Sequence, residues 1–308
     1  MKADLRIALI GNPNTGKSTL FNLLTGLNQK IGNFPGITVD RKTGHFKLPS
    51  GREALVTDLP GTYSLYPKSR DEAIVFQVLA DKTDPSYPDV VVVVADATNL
   101  RRNLLLYTQV ADLGIPTLLA LNMSDLATKQ GIDINVNELS SRLGVRVVPI
   151  SARINVGTEV LKEAIDHTTS SLQNQLLDIF SIAPEAVVRV KLEFDQPNDY
   201  FALQTLHQHD VLTTFSEAEQ DRLDAIVKDL NFNSTKLQTE EIELRYRALS
   251  KVLTGVINVK VAREKFMLTE KIDAIVTHKI WGFAIFLLLL FFIFNAIFSW
   301  SSVPMDWI

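Results

Sequence analysis

The chain has 308 residues, with 31 Lys+Arg against 35 Asp+Glu, so its net charge is −4. That balance excludes a general nucleic-acid binder, which carries a basic excess. There is no cysteine, and disulfide scaffolds, zinc–thiolate centres and iron–sulfur clusters are therefore excluded within it.

At roughly 150 residues per domain the length predicts about two domains. Met1-Lys2-Ala3-Asp4 runs straight into a strand-like segment with no charged-then-apolar signal pattern, so no cleaved secretion signal is expected. Leu5 to Ile10 is an apolar run ending in glycine, which predicts a buried strand. A glycine-rich turn and a helical pattern over Lys17–Leu24 follow. Further strands are predicted at Glu53–Thr57, at the five valines Val90–Val94, at Thr117–Leu121 and at Val145–Ile150. Continuous valine runs suit strands covered on both faces, as in parallel sheets. Helical patterns lie between them at Ser69–Ala80, Leu100–Leu113 and Val136–Leu143. The alternation predicts an α/β domain with a mainly parallel sheet over residues 1–168.

Beyond that point the texture changes to long helical patterns, marked by Phe201, Leu203 and Leu206, by Leu223, Ile226, Val227 and Leu230, and by Leu244, Leu249, Val252 and Leu253. A small, mostly helical second domain is expected over 169–268, and a linker with a membrane segment over 269–308. Ile280 to Trp300 carries no charge and has Trp near both ends. Trp281 to Trp300 spans 19 rises of about 1.5 Å, roughly 28 Å, close to the ~30 Å hydrocarbon core, so a transmembrane helix over about 280–300 is expected. Asn295 within it suits helix packing. Lys260, Arg263, Lys265, Lys271 and Lys279 precede this segment and nothing after Trp300 is basic. The positive-inside rule then places residues 1–279 on the cytoplasmic side. A functional polytopic protein would need more sequence after Ile308, so a fragment is expected.

Gly11-Asn12-Pro13-Asn14-Thr15-Gly16-Lys17-Ser18 fits G-x-x-x-x-G-K-[ST] between a strand and a helix, with Thr19 next in the helix. Glycines let successive N–H groups curl around phosphate oxygens, and the helix N-terminus adds partial positive charge. Lys17 would neutralise the β- and γ-phosphates, and the Ser18 hydroxyl would ligate Mg²⁺. Asp58-Leu59-Pro60-Gly61 ends a strand about 40 residues later, where Asp58 would hold Mg²⁺ through water and the Gly61 N–H would meet a γ-phosphate. Thr38, in the run Gly36-Ile37-Thr38, sits between these motifs, as a switch hydroxyl for Mg²⁺ would. Asn122-Met123-Ser124-Asp125 follows the predicted fifth strand. The Asp125 carboxylate can accept from guanine N1–H and the 2-amino group, which adenine does not offer, and the Asn122 amide can reach guanine N7 and tie down the phosphate loop. Ser151-Ala152-Arg153 follows the next strand, where a backbone N–H would meet guanine O6.

In this order the motifs resemble the small GTP-binding domains of the translation-factor-like class. The run G-N-P-N-x-G-K-[ST], the N-F-P-G-I-T-V loop and D-L-P-G-T-Y-S-L resemble more closely the FeoB ferrous iron transport family. That resemblance implies a P-loop GTPase domain, a helical domain that slows GDP release, and the first transmembrane segment of an iron transporter in a bacterial inner membrane. It implies GTP/GDP and Mg²⁺ as ligands, K⁺ held by Asn14, membrane lipid around the last segment, Fe²⁺ as cargo of a membrane region outside this chain, and a small accessory protein as partner. Asn14, Lys17, Thr38 and Gly61 would carry catalysis. Thr62 stands where Ras-type enzymes place a water-orienting Gln, so hydrolysis should be slow, on the order of 10⁻⁴–10⁻³ s⁻¹, unless K⁺ supplies the missing charge.

His207-x-His209 is expected to be solvated helix surface, Glu240-Glu241-x-Glu243 an exposed first turn, and Arg101-Arg102 exposed. Three other functions compete: a membrane-tethered regulatory GTPase without transport, a ribosome-assembly GTPase, which the lack of a basic tract disfavours, and a P-loop kinase or ATPase, which Asn122–Asp125 disfavours.

Overall fold

The computed structural model describes residues 4–27, 29–34, 40–168, 175–210, 212, 215–259, 275–278 and 280–296. The chain divides into two units, Met1–Val259 and Lys260–Ile308.

The first unit is built on a seven-stranded sheet. Its strands are β1 (Leu5–Gly11), β2 (Gln29–Asn33), β3 (Asp40–Lys47), β4 (Glu53–Asp58), β5 (Val90–Asp96), β6 (Thr117–Asn122) and β8 (Val147–Pro149), in the order β2-β3-β4-β1-β5-β6-β8. β1 pairs in parallel with β4 and β5, and the parallel ladder continues through β6 to β8. The predicted valine strand is β5, and Val90 to Val94 are at most 1% exposed. The hairpin of β2 and β3 adds an antiparallel edge. Sequence reading missed it because its residues, QKIGN and DRKTGHFK, are mostly polar. All five residues of β2 are exposed, so no apolar alternation marks it.

Helices α1 (Lys17–Thr25), α2 (Arg70–Ala80), α3 (Leu100–Asp112), α4 (Ser124–Lys129), α5 (Val136–Leu143) and α6 (Thr158–His167) connect the strands. α3 is buried nearly all round, from Leu100 to Ala111. A helix of that kind needs cover on both sides. The sheet covers one, and α10 (Ser234–Leu253) covers the other. α7 (Pro184–Phe194), α8 (Asp199–His207) and α9 (Glu217–Asp229) complete the helical part. One apolar cluster runs from Val91 and Leu104 through Leu203 to Leu249. A two-stranded sheet of β7 (Ile132–Ile134) and β9 (Ile257–Val259) ties the end of the helical part back to the first 168 residues.

In the second unit, α11 (Trp281–Asn295) has 15 residues and is apolar up to its last, Asn295, about 21 Å at 1.5 Å per residue. Phe283, Phe286 and Phe291 along it are exposed. No helix among the described residues is long and apolar enough to cross a membrane. The end of the expected 280–300 span, from 297 onward, lies outside the described residues, as do Lys260, Arg263, Lys265, Lys271 and Lys279.

Candidate nucleotide site

The predicted motif residues that are described converge at the C-terminal ends of β1, β4 and β6, where open α/β sheets bind ligands. β1 ends at Gly11, the loop turns through 12–16, and Lys17 opens α1. Gly16 caps that helix at φ 80°. A Cβ there would lie 2.4 Å from Asn122 Nδ2, so the position demands glycine both for conformation and for space. The Thr15 hydroxyl donates to the Asn12 carbonyl at 2.9 Å. The Asn12 side chain is 3% exposed, and neither its Oδ1 nor its Nδ2 finds a partner among the described residues. Pro13 and Asn14 are exposed, with Asn14 at φ 66°.

Asn122 joins three segments. Its Nδ2 donates to the Thr15 carbonyl at 2.7 Å, and its Oδ1 accepts from the Ala152 N–H at 2.9 Å. It is 3% exposed at the end of β6. Met123, at φ 61°, turns the chain into α4. Asp125 then accepts from the Ser151 hydroxyl at 2.6 Å. That bond holds its carboxyl below the usual carboxylate range. Ser151 and Ala152 are buried, and Arg153 is exposed.

At the start of α1 the Lys17 ammonium meets the Asp58 carboxylate and the Leu59 carbonyl. The Ser18 hydroxyl donates to Asp58 Oδ2 at 3.2 Å. Lys17, Ser18, Asp58, Pro60 and Gly61 line a cavity of about 500 Å³ together with Asp40, Lys42 and Asp71. Thr62 is fully buried: its N–H donates to the Gly11 carbonyl at 3.2 Å and its hydroxyl to the Ser64 carbonyl at 2.6 Å. A Cβ on Gly61 would press on Pro13 at 3.3–3.4 Å. Gly36, Ile37 and Thr38 lie outside the described residues.

The segment after Gly61 leads into a buried polar network. Leu65 N–H donates to Gln109 Oε1 at 2.9 Å, and Gln208 Nε2 to the Leu65 carbonyl at 3.0 Å. The Tyr66 hydroxyl donates to Glu241, whose Oε1 accepts from Arg245 Nε at 2.6 Å. Arg245 Nη2 lies 2.7 Å from Asp112 Oδ2, an ion pair without hydrogen-bond alignment. The Arg245 guanidinium also sits 4.8 Å from the Tyr200 ring centroid. Burial pushes the Tyr66 and Tyr200 hydroxyls well up, and it raises Asp112 despite the opposing pull of Arg245. Burial would lower Arg245, but Glu241, Tyr200 and Asp112 around it together raise it.

This network corrects two expectations. Glu241 is fully buried within α10 rather than in an exposed first turn, because it has Arg245 one turn on and Tyr66 across. His207 is 7% exposed rather than solvated: its Nδ1 is 2.8 Å from Ser234 Oγ and its ring stands edge-on to Tyr66. Burial pushes His207 down to about 4. The signal available in the sequence was the i,i+4 spacing of Glu241 and Arg245. Arg101 and Arg102 are exposed as expected, lying over Tyr246 and Tyr63.

A family profile described as "Ferrous iron transport protein B" matches residues 5–165. The chain is 33% identical to the Fe(2+) transporter FeoB of Leptospira biflexa, over 98% of this chain and 45% of that protein. It is 33% identical to a Fe(2+) transport protein A/Fe(2+) transporter FeoB fusion protein of Porphyromonas gingivalis, over 99% of this chain and 38% of that one. The chain thus spans less than half the length of these curated relatives. Among solved structures, the cytosolic domain of L. pneumophila FeoB superposes with a TM-score of 0.69 at 33% identity, over 82% of this chain and 99% of that one. A GDP-bound variant of S. thermophilus NFeoB gives 0.65 at 33%, over 82% and 100%.

Proposed function

The chain belongs to the FeoB family of ferrous iron transport proteins, and from that premise we propose that it is the GTP-binding and hydrolysing cytoplasmic module of a ferrous iron transporter. The observation that carries the nucleotide reading is the Asn122 amide, which joins the phosphate loop at Thr15 to the segment at Ala152 with Asp125 and Ser151 beside it. One N–H of Asn122 remains for guanine N7. Asp125, already ionised and oriented, accepts from N1–H and the 2-amino group. The backbone of Ser151–Arg153 faces O6. The loop Gly11–Ser18, with Thr19 after it, wraps the phosphates with its backbone N–H groups, those of Asn12 and Thr15 among them, while Pro13, which has none, fixes the turn.

Lys17 leaves Asp58 for the β- and γ-phosphates. Ser18, Thr38 and Asp58 offer hydroxyl and carboxylate oxygens, the hard donors that suit Mg²⁺. Mg²⁺ held there would supply positive charge to the phosphates. Asn14 at the loop's exposed tip would hold K⁺, and Gly36, Ile37 and Gly61 would present backbone groups to the γ-phosphate. Residues 1–168 form the G domain in this reading, and 169–268 the domain that slows GDP release. α11 begins the membrane-inserted part, which keeps residues 1–279 in the cytoplasm. Fe²⁺ is the cargo of the whole transporter. A small partner protein acts with it, as the fused relative of P. gingivalis suggests.

The test is competition for a fluorescent GDP. Unlabelled GTP should displace it and ATP should not, and Asp125→Ala should remove the preference. Equal displacement by ATP overturns the guanine assignment. Restoration of ferrous iron uptake by the whole transporter carrying this module, and its loss with Lys17→Ala, would separate the transport reading from that of a tethered regulatory GTPase.

A further inference from the structure

Lys42 has no role in the site as described so far. It stands on β3 directly opposite Asp58 on β4, in antiparallel register. Directly opposed residues project from the same face, with Cα atoms about 4.5–5.5 Å apart. Lys42 lines the same cavity as Lys17, Ser18 and Asp58. Among the described residues it makes no ion pair and no side-chain hydrogen bond, although its four-carbon stem gives its ammonium wide reach.

Asp58 needs a cation. Its side chain is 7% exposed, and that of Lys17, its partner here, is 10% exposed. A carboxylate so enclosed is costly to leave unpaired. A bound nucleotide draws Lys17 toward its phosphates, and the oxygen that Lys17 leaves, Oδ1, then loses its countercharge.

We propose that Lys42 is the reserve counter-ion of Asp58, taking up Oδ1 when Lys17 moves to the phosphates. The proposal rests on the nucleotide reading above. Lys42 is a positioning residue in this account: it touches no part of the nucleotide and acts by stabilising Asp58. Its contribution is greatest when no divalent cation is present. With Mg²⁺ bound, the metal's own charge compensates the carboxylate.

The test is GDP binding by the 308-residue chain, measured by fluorescence titration with Mg²⁺ and again in EDTA. Lys42→Met should weaken GDP about tenfold in EDTA and no more than about twofold with Mg²⁺, where tenfold corresponds to about 1.4 kcal/mol. Lys42→Gln, neutral but polar, should behave as Lys42→Met does, and Lys42→Arg should bind as the parent in both buffers. An equal loss in both buffers marks a merely structural role and overturns the proposal, as does unchanged affinity in EDTA. If the parent chain itself binds no GDP in either buffer, the nucleotide reading fails first.

Discussion

Tyr66 and Glu241 lie 175 positions apart and share a buried hydrogen bond. Tyr66 is five residues past Gly61, and Glu241 sits midway along α10. The bond fastens the chain leaving the cavity lined by Lys17 and Asp58 to a helix far along the sequence. Tyr66→Phe leaves the Glu241 carboxylate short of a donor without opening a cavity. The expected loss of unfolding free energy in urea is about 1–3 kcal/mol, and unchanged stability would show that Glu241 re-pairs locally.

Arg245 is 1% exposed and is the cation shared by Glu241 and Asp112. Arg245→Met strands two buried carboxylates and should cost about 3–5 kcal/mol. Replacing Glu241 and Asp112 by Leu and Asn in the same chain should recover much of that loss, because no unpaired charge then remains. An Arg245→Met chain as stable as the parent would refute this account of the network.

His207 supplies a pH dependence. Its folded value is about 4 against an ordinary 6.5, so between these values the unfolded chain binds the proton and the folded chain does not. Stability is fully present above pH 6.5 and falls as pH drops toward 4. The share due to His207 is up to about 3 kcal/mol. His207→Gln should flatten the urea midpoint across this window, and a difference between the two chains that does not vary with pH would exclude His207 as the source.

Gly16→Ala combines a left-handed backbone with a Cβ 2.4 Å from Asn122 Nδ2. The backbone strain alone costs about 1–2 kcal/mol, and the side chain drives Asn122 away from Thr15. GDP affinity should fall by more than about tenfold. Gly26→Ala, at φ 60° with open space around its Cβ, carries the backbone strain alone and should leave GDP affinity unchanged.

Hydrolysis should run faster in K⁺ than in Na⁺, and Asn14→Ala should abolish the difference. Equal parent rates in both salts would remove K⁺ from the site.

The strands that carry the site were legible because burial on both faces leaves long apolar runs, as at Val90–Val94. The phosphate loop was legible because its chemistry needs glycine at fixed spacing. β2 and β3 were not, since a mostly polar edge hairpin bears no apolar pattern. Glu241 and His207 were misread for a different reason. Polar residues on a helix read as surface, and the burial of Glu241 becomes tolerable only with Tyr66 across as well as Arg245 one turn on, that of His207 only with Ser234. Gly36, Ile37 and Thr38 stay sequence expectations.

Asn122 has a consequence for how affinity is divided. Both ends of its amide are engaged before any ligand arrives, so the base end of the proposed site is preorganised and little entropy is lost there on binding. In the proposed complex, the phosphate end must exchange partners at Lys17. Association should therefore begin with the base and finish with the phosphates. Discrimination between di- and triphosphate then falls almost wholly to that second step, leaving the nucleobase contacts blind to which one is bound.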